Sequence, residues 1–384
     1  MLLDLDVPLP PLVGFEAYSC INLESHQVLG DILNNVVKPL GPMLKRLPER
    51  PHDTAIYESF ASCIFAGRGA WGWGREWPTG MLMYRANLAP ATLYCDHVAR
   101  GDLKDVKVLF MPHCDVLIAS VADEIRKFQA RGGIVVADQH LASGITPDIV
   151  IPEIAFNRNV GAKKFNAAYK QAAAKLLEKL APHYRPFATA DPEFLTFPRK
   201  YRDADYLFVV NDKRTYGGDF GVWRQVMEVG LPHSGKVAVA RHSAAVYELS
   251  RGGKVNFDSA KNATSVKLDF KTNDGRLLLF LDSPIESVKL DVPEQVTAGQ
   301  GFTVTATVRD ASGKAVPALL PVKLEITGPD GRKLDGVGYE CAVDGVLRKN
   351  CRLALNEKPG KWSVRFTDRA SGLSETAKFT VRER

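Results

Sequence analysis

Residues 105–138 alternate short apolar runs with one amphipathic stretch. The apolar run from Val106 to Met111 predicts a buried parallel strand. Apolar residues at helical spacing follow it, and a Gly-Gly pair at 132–133 stops that helix. A second apolar run, 134–137, ends at Asp138. Strand, helix and strand in this order predict one βαβ unit.

Runs of the same kind flank this unit and extend the α/β pattern across residues 51–202. Helices that alternate with strands are typical of a parallel sheet covered on both faces, and we expect a flavodoxin-like strand order. The additional strands are predicted at 54–57, 91–95 and 148–151, and the additional helices at 81–88 and 163–180.

The pattern changes near residue 203, where Gly, Pro, Asn and Asp rather than helices separate the apolar runs. Val266–Phe270 and Leu277–Leu281 flank Asn273-Asp274-Gly275, a strong signal for a β-hairpin turn. Residues 203–290 therefore predict an antiparallel β-sandwich. Further alternating strands predict a second, smaller sandwich over residues 291–384. The fold class expected for the whole chain is thus an α/β domain followed by two β-sandwich domains.

Residues 1–50 predict a lead-in helix and linker rather than a domain. The helix is expected to end at Gly41-Pro42. Its apolar face must be buried to be stable, either on the next domain or on a partner. That face comprises Val28, Leu29, Ile32, Leu33, Val36, Val37 and Leu40.

Charge and hydropathy exclude two classes of partner. The 384 residues carry a formal net charge of +6 and no long Lys/Arg block, so no nucleic-acid partner is predicted. No apolar run approaches the ~20 residues that cross a bilayer, so no membrane partner is predicted. The first residues, MLLDLDVPLPPL, are too acidic and proline-rich for a signal peptide. We expect a cytoplasmic protein or a piece of a longer chain.

The six cysteines are spread along the chain without CxxC pairs, which argues against a zinc ribbon or a thioredoxin motif. Cys341 and Cys351 can face each other if the turn between them centres near Val346. A disulfide there would imply an oxidising compartment. Two half-buried thiols in strands are the favoured alternative, and the sequence leaves both open.

Polar residues follow the predicted strands of the α/β domain at their carboxyl ends, where ligands gather in open α/β sheets. We expect them to share one crevice with a tryptophan-rich loop as its wall. Glu58 is the candidate acid/base, with Asp96, Asp115 or Asp138 as the second catalytic carboxylate. The candidate substrate-binding residues are Trp71, Trp73, Arg75, Trp77, His97, His113, Cys114 and His140.

Indole rings beside carboxylates suit a sugar, because the C–H face of a pyranose packs on an indole while acids bind its hydroxyls. Two carboxylates about 5–9 Å apart would permit glycoside hydrolysis. His97, His113, His140 and Asp138 are residue types that bind zinc, but no spaced ligand motif supports a metal, and no cofactor is predicted. The alternative, slightly favoured, is structural: polar residues collect at strand ends because loops are solvated and acids cap helices.

Three motifs together resemble the amidotransferase-like domain of β-galactosidase-type glycoside hydrolases, which is called the trimerisation domain. They are a strand reaching VLFMP, a helix ending in GG, and a strand reaching VVAD. The resemblance implies that such a domain follows a catalytic barrel and precedes β-sandwiches, and the last module is similar to immunoglobulin-like or macroglobulin-like domains. Cys114 lacks the flanking glycines of a nucleophile elbow, so glutamine hydrolysis is not expected. The catalytic barrel itself is missing from this sequence.

The sequence leaves open whether the chain is an enzyme. The first interpretation is a carbohydrate-active protein that resembles the non-catalytic, assembly-forming C-terminal region of a β-galactosidase-like hydrolase, with a homo-oligomer as the expected state. The alternative is a stand-alone glycoside hydrolase that uses the strand-end carboxylates. A third is a module that binds a polysaccharide or a protein.

Overall fold

The computed structural model describes residues 23–66, 76–152, 162–220, 225–272 and 274–383. In this part of the chain an α/β unit precedes two β-rich units. A π-helical turn at Leu33–Val37 joins the first two helices, and a 3-10 turn lies at Asp102–Asp105. The α-helices are α1 Leu23–Ile32, α2 Lys38–Leu44, α3 Phe60–Phe65, α4 Glu76–Arg85, α5 Cys95–Ala99, α6 Ala119–Ala130 and α7 Ala162–Leu180.

Five parallel strands form the first sheet, in the order β2-β1-β3-β4-β5. The predicted βαβ unit is confirmed as β3, α6 and β4. The second strand is shorter than predicted, because Cys95 already begins α5. The strands are β1 Thr54–Tyr57, β2 Ala91–Leu93, β3 Val108–Met111, β4 Ile134–Ala137 and β5 Ile149–Val150.

Alternate residues of these strands pack against helices on the two faces of the sheet. Leu109 and Val135 share one buried cluster with Phe128 of α6. Phe110 and Val136 share another with residues of α4 and α7. Both faces are therefore covered, which explains why β3 and β4 are apolar throughout rather than alternating.

Two four-stranded sheets follow, in the orders β13-β14-β11-β6 and β12-β15-β8-β7. Side chains from both sheets share a buried cluster that includes Phe194, Leu207 and Val266. The strands are β6 Ala188–Ala190, β7 Phe194–Tyr201, β8 Ala204–Asn211, β11 His233–Val239, β12 Ala245–Glu248, β13 Asp258–Ala260, β14 Ala263–Phe270 and β15 Gly275–Leu281. A separate two-stranded ribbon consists of β9 Arg214–Phe220 and β10 Gln225–Gly230.

The connection between β14 and β15 differs from the sequence prediction. These strands flank Asp274-Gly275, but β14 pairs with β11 and β13 whereas β15 pairs with β8 and β12. The predicted hairpin is therefore wrong, and the turn crosses from one sheet to the other. The predicted boundary at 202/203 also falls between β7 and β8, which pair with each other.

The C-terminal strands form one continuous eight-stranded sheet, in the order β16-β18-β21-β20-β19-β22-β23-β17. Residues from both of its halves enclose one core that includes Val304, Leu324 and Phe366. The sheet is thus curled rather than divided in two. Its strands are β16 Ile285–Asp291, β17 Gln295–Thr297, β18 Gly301–Asp310, β19 Leu319–Thr327, β20 Tyr339–Val343, β21 Val346–Arg352, β22 Gly360–Asp368 and β23 Ser374–Arg382.

The lead-in helix continues past the predicted end at Gly41-Pro42, because α2 contains Pro42 and runs to Leu44. Leu40 and Met43 are buried in the core of the curled sheet. Burial of these two side chains explains why the helix persists across a residue that normally ends one. None of the described helices is long and apolar enough to cross a bilayer.

Cys341 and Cys351 are free and buried. Val343 pairs with Val346, so the turn between β20 and β21 centres before Val346. Cys351 lies opposite Phe302 of β18, and the two cysteines do not face each other across the turn as the disulfide would need. Burial raises the pKa of the Cys341 thiol to about 11 and also raises the pKa of Cys351.

Both thiols should therefore react slowly with iodoacetamide in the native protein. At pH 8 a thiol of pKa about 11 is only about one part in a thousand thiolate. We expect alkylation at least about tenfold slower than at the half-buried Cys63 and Cys95, and faster as the pH is raised, measured by peptide mass spectrometry. Labelling of unfolded protein only after reduction would instead indicate a disulfide.

Candidate functional site

The loops after β3 and β4 lie side by side at the carboxyl edge of the parallel sheet. Cys114 and Leu141 form a parallel bridge beyond the strands proper, and the Ala142 amide donates to the Cys114 carbonyl at 2.7 Å. The two loops therefore continue the strand pairing past Met111 and Ala137. This arrangement brings together five of the predicted site residues: His113, Cys114, Asp115, Asp138 and His140.

Asp138 holds this pair of loops in place. Its side chain is 3% exposed. Oδ2 accepts a hydrogen bond from the backbone N–H of His113 at 3.0 Å, and Oδ1 accepts one from the backbone N–H of His140 at 2.8 Å. One carboxylate thus satisfies two amides that the ends of the strands would otherwise leave unpaired.

His113 has a left-handed backbone conformation, with a φ of +51°. Non-glycine residues seldom adopt this conformation, and neighbouring contacts must stabilise it. Asp138 supplies two of those contacts, the backbone hydrogen bond and an approach of 3.3 Å between Oδ2 and Nδ1 of the imidazole.

The imidazole rings of His113 and His140 stack on each other, with centroids 5.5 Å apart. Nδ1 of His140 lies 3.9 Å from Oδ1 of Asp115. Each imidazole therefore has a carboxylate neighbour, and two His–Asp pairs lie side by side at the ends of β3 and β4.

Cys114 points into the sheet rather than toward solvent. It is fully buried, and its Sγ contacts the carbonyl oxygens of Pro112 at 3.4 Å and Tyr57 at 3.9 Å. Burial is the main cause that raises the pKa of the Tyr57 hydroxyl. The neighbouring thiols of Cys114 and Cys95 raise it further. A buried thiol beneath the loop is out of reach of a ligand that arrives from solvent.

The end of β1 is tied to the loop after β3. Ser59 caps α3 by accepting the Ser62 amide, and its hydroxyl donates to the Val116 carbonyl at 2.7 Å. The Ser62 hydroxyl donates to the same carbonyl at 2.9 Å and accepts the Val116 amide at 2.8 Å. Glu58 precedes this cluster and is half-buried, and its amide donates to the Leu93 carbonyl at 2.9 Å.

Asp96 and His97 lie at the end of β2, and their described contacts are local. Nδ1 of His97 accepts the Tyr94 amide at 3.1 Å, which closes the first turn of α5. Asp96 is exposed and lies 3.7 Å from Arg100 one turn later. These two residues therefore act within their own short helix.

Most of the predicted tryptophan loop lies outside the described residues. Trp71, Trp73 and Arg75 lie outside the described residues, and of Trp77 only its position in α4 is described. Across the ranges that the structure covers, no group of three or more His, Cys, Asp or Glu side chains is arranged to hold a metal ion.

The sequence pattern did not predict the serine cluster at the end of β1, in which Ser59 and Ser62 bind Val116. Ser59 precedes a helical stretch and is a recognisable N-cap, so its bond to the Ser62 amide has a local sequence signal. Its second bond, to Val116, joins residues far apart in sequence and has no local signature. The same holds for the two amides bound by Asp138.

The polar groups at the ends of β3 and β4 can therefore act in two ways. As a structural network, Asp138 and the serine cluster fix the loops by binding backbone groups. As a ligand site, His140 and Asp115 present the more accessible side chains, with exposures of 19% and 25%, whereas His113 is buried.

No protein-family model matches the chain. No curated protein matches it either. Solved structures of glycoside hydrolases are similar to it in part, and the chain spans about half of the first structure below and less than half of the other two. α-L-Fucosidase isoenzyme 2 from Paenibacillus thiaminolyticus has 10% identity and a TM-score of 0.49, over 68% of this chain and 53% of that chain. A β-galactosidase from Bacillus circulans sp. alkalophilus has 9% identity and a TM-score of 0.40, over 63% and 43%. A catalytic mutant of a GH42 β-galactosidase from G. stearothermophilus has 13% identity and a TM-score of 0.36, over 60% and 40%.

Proposed function

We propose that this chain is a non-catalytic, assembly-forming region of a carbohydrate-active protein, with the layout that its sequence motifs share with the C-terminal region of β-galactosidase-type hydrolases. In this proposal residues 51–202 are a flavodoxin-like, amidotransferase-like domain whose last two strands, β6 and β7, join the sheets of the first sandwich. Residues 203–290 are a β-sandwich, and residues 291–384, whose strands form the curled sheet together with β16, are an immunoglobulin-like or macroglobulin-like domain. The chain forms a homo-oligomer.

The strand order β2-β1-β3-β4-β5, with all strands parallel, supports the flavodoxin-like assignment. Proteins with this order bind ligands at the switch point between the carboxyl ends of β1 and β3. In this chain the Ser59 and Ser62 hydroxyls bind both backbone groups of Val116 between those two strands. The place where a ligand normally enters is therefore bridged by the protein itself.

The observation that carries the proposal is the position of Asp138. A catalytic acid or base must reach the substrate within hydrogen-bonding distance. Asp138 is buried, and each of its oxygens accepts a backbone amide. It is thus engaged in holding the loops, and the buried Cys114 is equally unsuited to act on a substrate.

Assays of the 384-residue chain on a panel of chromogenic glycosides test this proposal. We expect no hydrolysis above the rate of a heat-denatured sample, and no difference between the wild type and Glu58→Gln. Asp123→Asn, on α6 away from the strand ends, is a matched control at an exposed carboxylate.

Hydrolysis that is lost in Glu58→Gln and retained in Asp123→Asn would overturn the proposal and favour a stand-alone glycoside hydrolase. In that case Glu58 would serve as the acid/base, with Asp115 as the more accessible partner. Saturable binding of an oligosaccharide without turnover, measured by calorimetry, would favour the polysaccharide-binding alternative.

A further inference from the structure

The curled sheet has one face on which every outward side chain is basic or carries a hydroxyl. This basic face consists of the outward positions of β22 and β23, whose alternate residues, among them Trp362, Phe366 and Phe379, are buried in the core. The outward residues are Lys361, Ser363, Arg365 and Thr367 on β22, and Ser374, Thr376, Lys378, Thr380 and Arg382 on β23. No aromatic or large apolar side chain lies at an outward position of these two strands.

Cations and hydroxyls alternate on the basic face both along the strands and across them. No two successive outward positions of either strand are both cationic. Across the strands, each of three cations lies opposite a hydroxyl, in the pairs Lys361 with Thr380, Lys378 with Ser363, and Arg365 with Thr376. This register keeps like charges from lying directly opposite each other, which would be destabilising.

The four cations form a zigzag row along the two strands. The row runs in the order Arg365, Lys378, Lys361, Arg382, and each cation is the diagonal neighbour of the next on the other strand. Diagonal neighbours are about 7–8 Å apart. The row advances by two residues at each step and so extends about 20 Å along the sheet. A long, linear ligand can therefore contact all four cations at once.

The cations of the row are not neutralised by the protein. Among the residues that the structure describes, none of the four forms an ion pair. The one carboxylate at an outward position of the neighbouring β19 is Glu325, which is bound by Lys333 at 2.7 Å and Lys323 at 2.9 Å. Those two lysines lower the pKa of Glu325. Glu375 and Glu383 fall at the alternate, inward positions near the two ends of β23.

The composition of the basic face distinguishes between classes of polyanion. Protein interfaces are anchored by aromatic and apolar side chains, and single-stranded nucleic acids stack on aromatic platforms, neither of which this face offers. A polysaccharide with carboxylates on its sugars presents anions and hydroxyls along one chain. Lys and Arg form charge-assisted hydrogen bonds with carboxylates, and Ser and Thr hydroxyls can both donate to and accept from sugar hydroxyls.

We propose that the basic face binds an extended anionic polysaccharide whose sugars carry carboxylates. The choice of ligand rests on the carbohydrate-active part of the proposed function, and the surface itself is independent of the assembly role. The cations of the row bind the carboxylates, and the hydroxyls opposite them bind the hydroxyls of the sugars. Uncharged oligosaccharides, which lack the anions, are not expected to bind here.

Binding of the full chain to immobilised polygalacturonate, measured by biolayer interferometry, tests the surface. We expect Arg365→Gln/Lys378→Gln to raise the dissociation constant about 5- to 30-fold, since it removes two adjacent cations of the row. Arg348→Gln/Arg352→Gln is the matched control, because it removes two exposed cations from β21 in the other half of the curled sheet. It should leave the dissociation constant within about twofold of wild type.

Salt and an uncharged polymer test the nature of the contact. Binding of the wild type should weaken as the ionic strength rises from about 0.01 M to about 0.15 M, because the screening length falls from about 30 Å to about 8 Å. Immobilised dextran, which has sugar hydroxyls but no carboxylates, should not bind the chain. Circular dichroism of each variant checks that its fold is unchanged.

Polyglutamate tests the role of the hydroxyls, since it carries carboxylates without sugar hydroxyls. Ser363→Ala/Thr376→Val removes the hydroxyls opposite Lys378 and Arg365 and leaves every charge in place. We expect this variant to bind polygalacturonate about three- to tenfold more weakly than the wild type does. Its dissociation constant for polyglutamate should stay within about twofold of wild type.

No binding to polygalacturonate, or an equal loss in Arg348→Gln/Arg352→Gln, would overturn the inference. Equal responses of the two polymers to Ser363→Ala/Thr376→Val would show that the face recognises charge alone, and the polysaccharide assignment would be wrong. Tighter binding of an oligo(dT) strand than of polygalacturonate would assign the face to single-stranded nucleic acid instead. The assembly role fails separately, through a monomer in sedimentation velocity, and that result would leave the basic face unaffected.

Discussion

Replacement of Asp138 by alanine is expected to lower the free energy of unfolding by about 2–5 kcal/mol. The substitution removes the acceptor of two backbone amides, from His113 and His140, at a buried position. Each buried donor left unsatisfied destabilises by about 1–3 kcal/mol. The left-handed backbone of His113 also loses the group that holds it. Urea unfolding followed by circular dichroism measures the change.

Asp96→Ala is the control for this prediction, since it removes an exposed carboxylate at the end of β2. Its effect should stay within about 0.5–1 kcal/mol. If Asp138→Ala unfolded at the urea concentration of the wild type, Asp138 would not be structural. A catalytic role, in which activity is lost and stability is kept, would then become the better explanation.

Asp212→Ala is expected to destabilise the protein by about 3–5 kcal/mol. Asp212 lies at the end of β8, and its carboxylate pairs with Arg85 of α4 and with Arg214. The side chains of Arg85 and Asp212 are only 4% and 7% exposed. Removal of the carboxylate breaks the buried ion pair of Arg85 with Asp212, at the contact between the α/β unit and the first sandwich.

The double variant Arg85→Met/Asp212→Leu separates the ion pair from the packing around it. Because it removes both buried charges, it should be more stable than Asp212→Ala. Asp123→Ala, which breaks an exposed pair with Arg126, should change the free energy of unfolding by no more than about 0.5–1 kcal/mol. A double variant as unstable as Asp212→Ala would show that the broken ion pair is not the cause.

The sequence was sufficient for the elements whose signal is local. Apolar runs and helical spacing predicted β3, α6 and β4, because both faces of the sheet are covered and every strand residue is apolar. The long helix α7 was predicted as 163–180 and is Ala162–Leu180. The alternating apolar and polar residues of the last module likewise predicted strands, and β18 buries every second residue.

Pairings between distant residues could not be predicted in the same way. The Asp274-Gly275 turn has the chemistry of a hairpin, yet its two strands find better partners in separate sheets. Pro42 is a helix breaker by local rules, but burial of Leu40 and Met43 outweighs it. In both cases tertiary packing overrides the local preference.

The candidate site shows the same division. The sequence placed His113, Cys114, Asp115, Asp138 and His140 at strand ends, and the parallel order of β3 and β4 brings them together. It did not reveal that Asp138 would bind two amides or that Val116 would close the gap beside β1. Those bonds depend on the course of loops, which no periodicity specifies.

The assembly role is tested most directly by sedimentation velocity of the intact, unmodified chain across the micromolar concentration range. One chain has a mass of 42.2 kDa. The account predicts a species of at least twice that mass, whose population grows with concentration. A single species of one chain's mass at every concentration would contradict it.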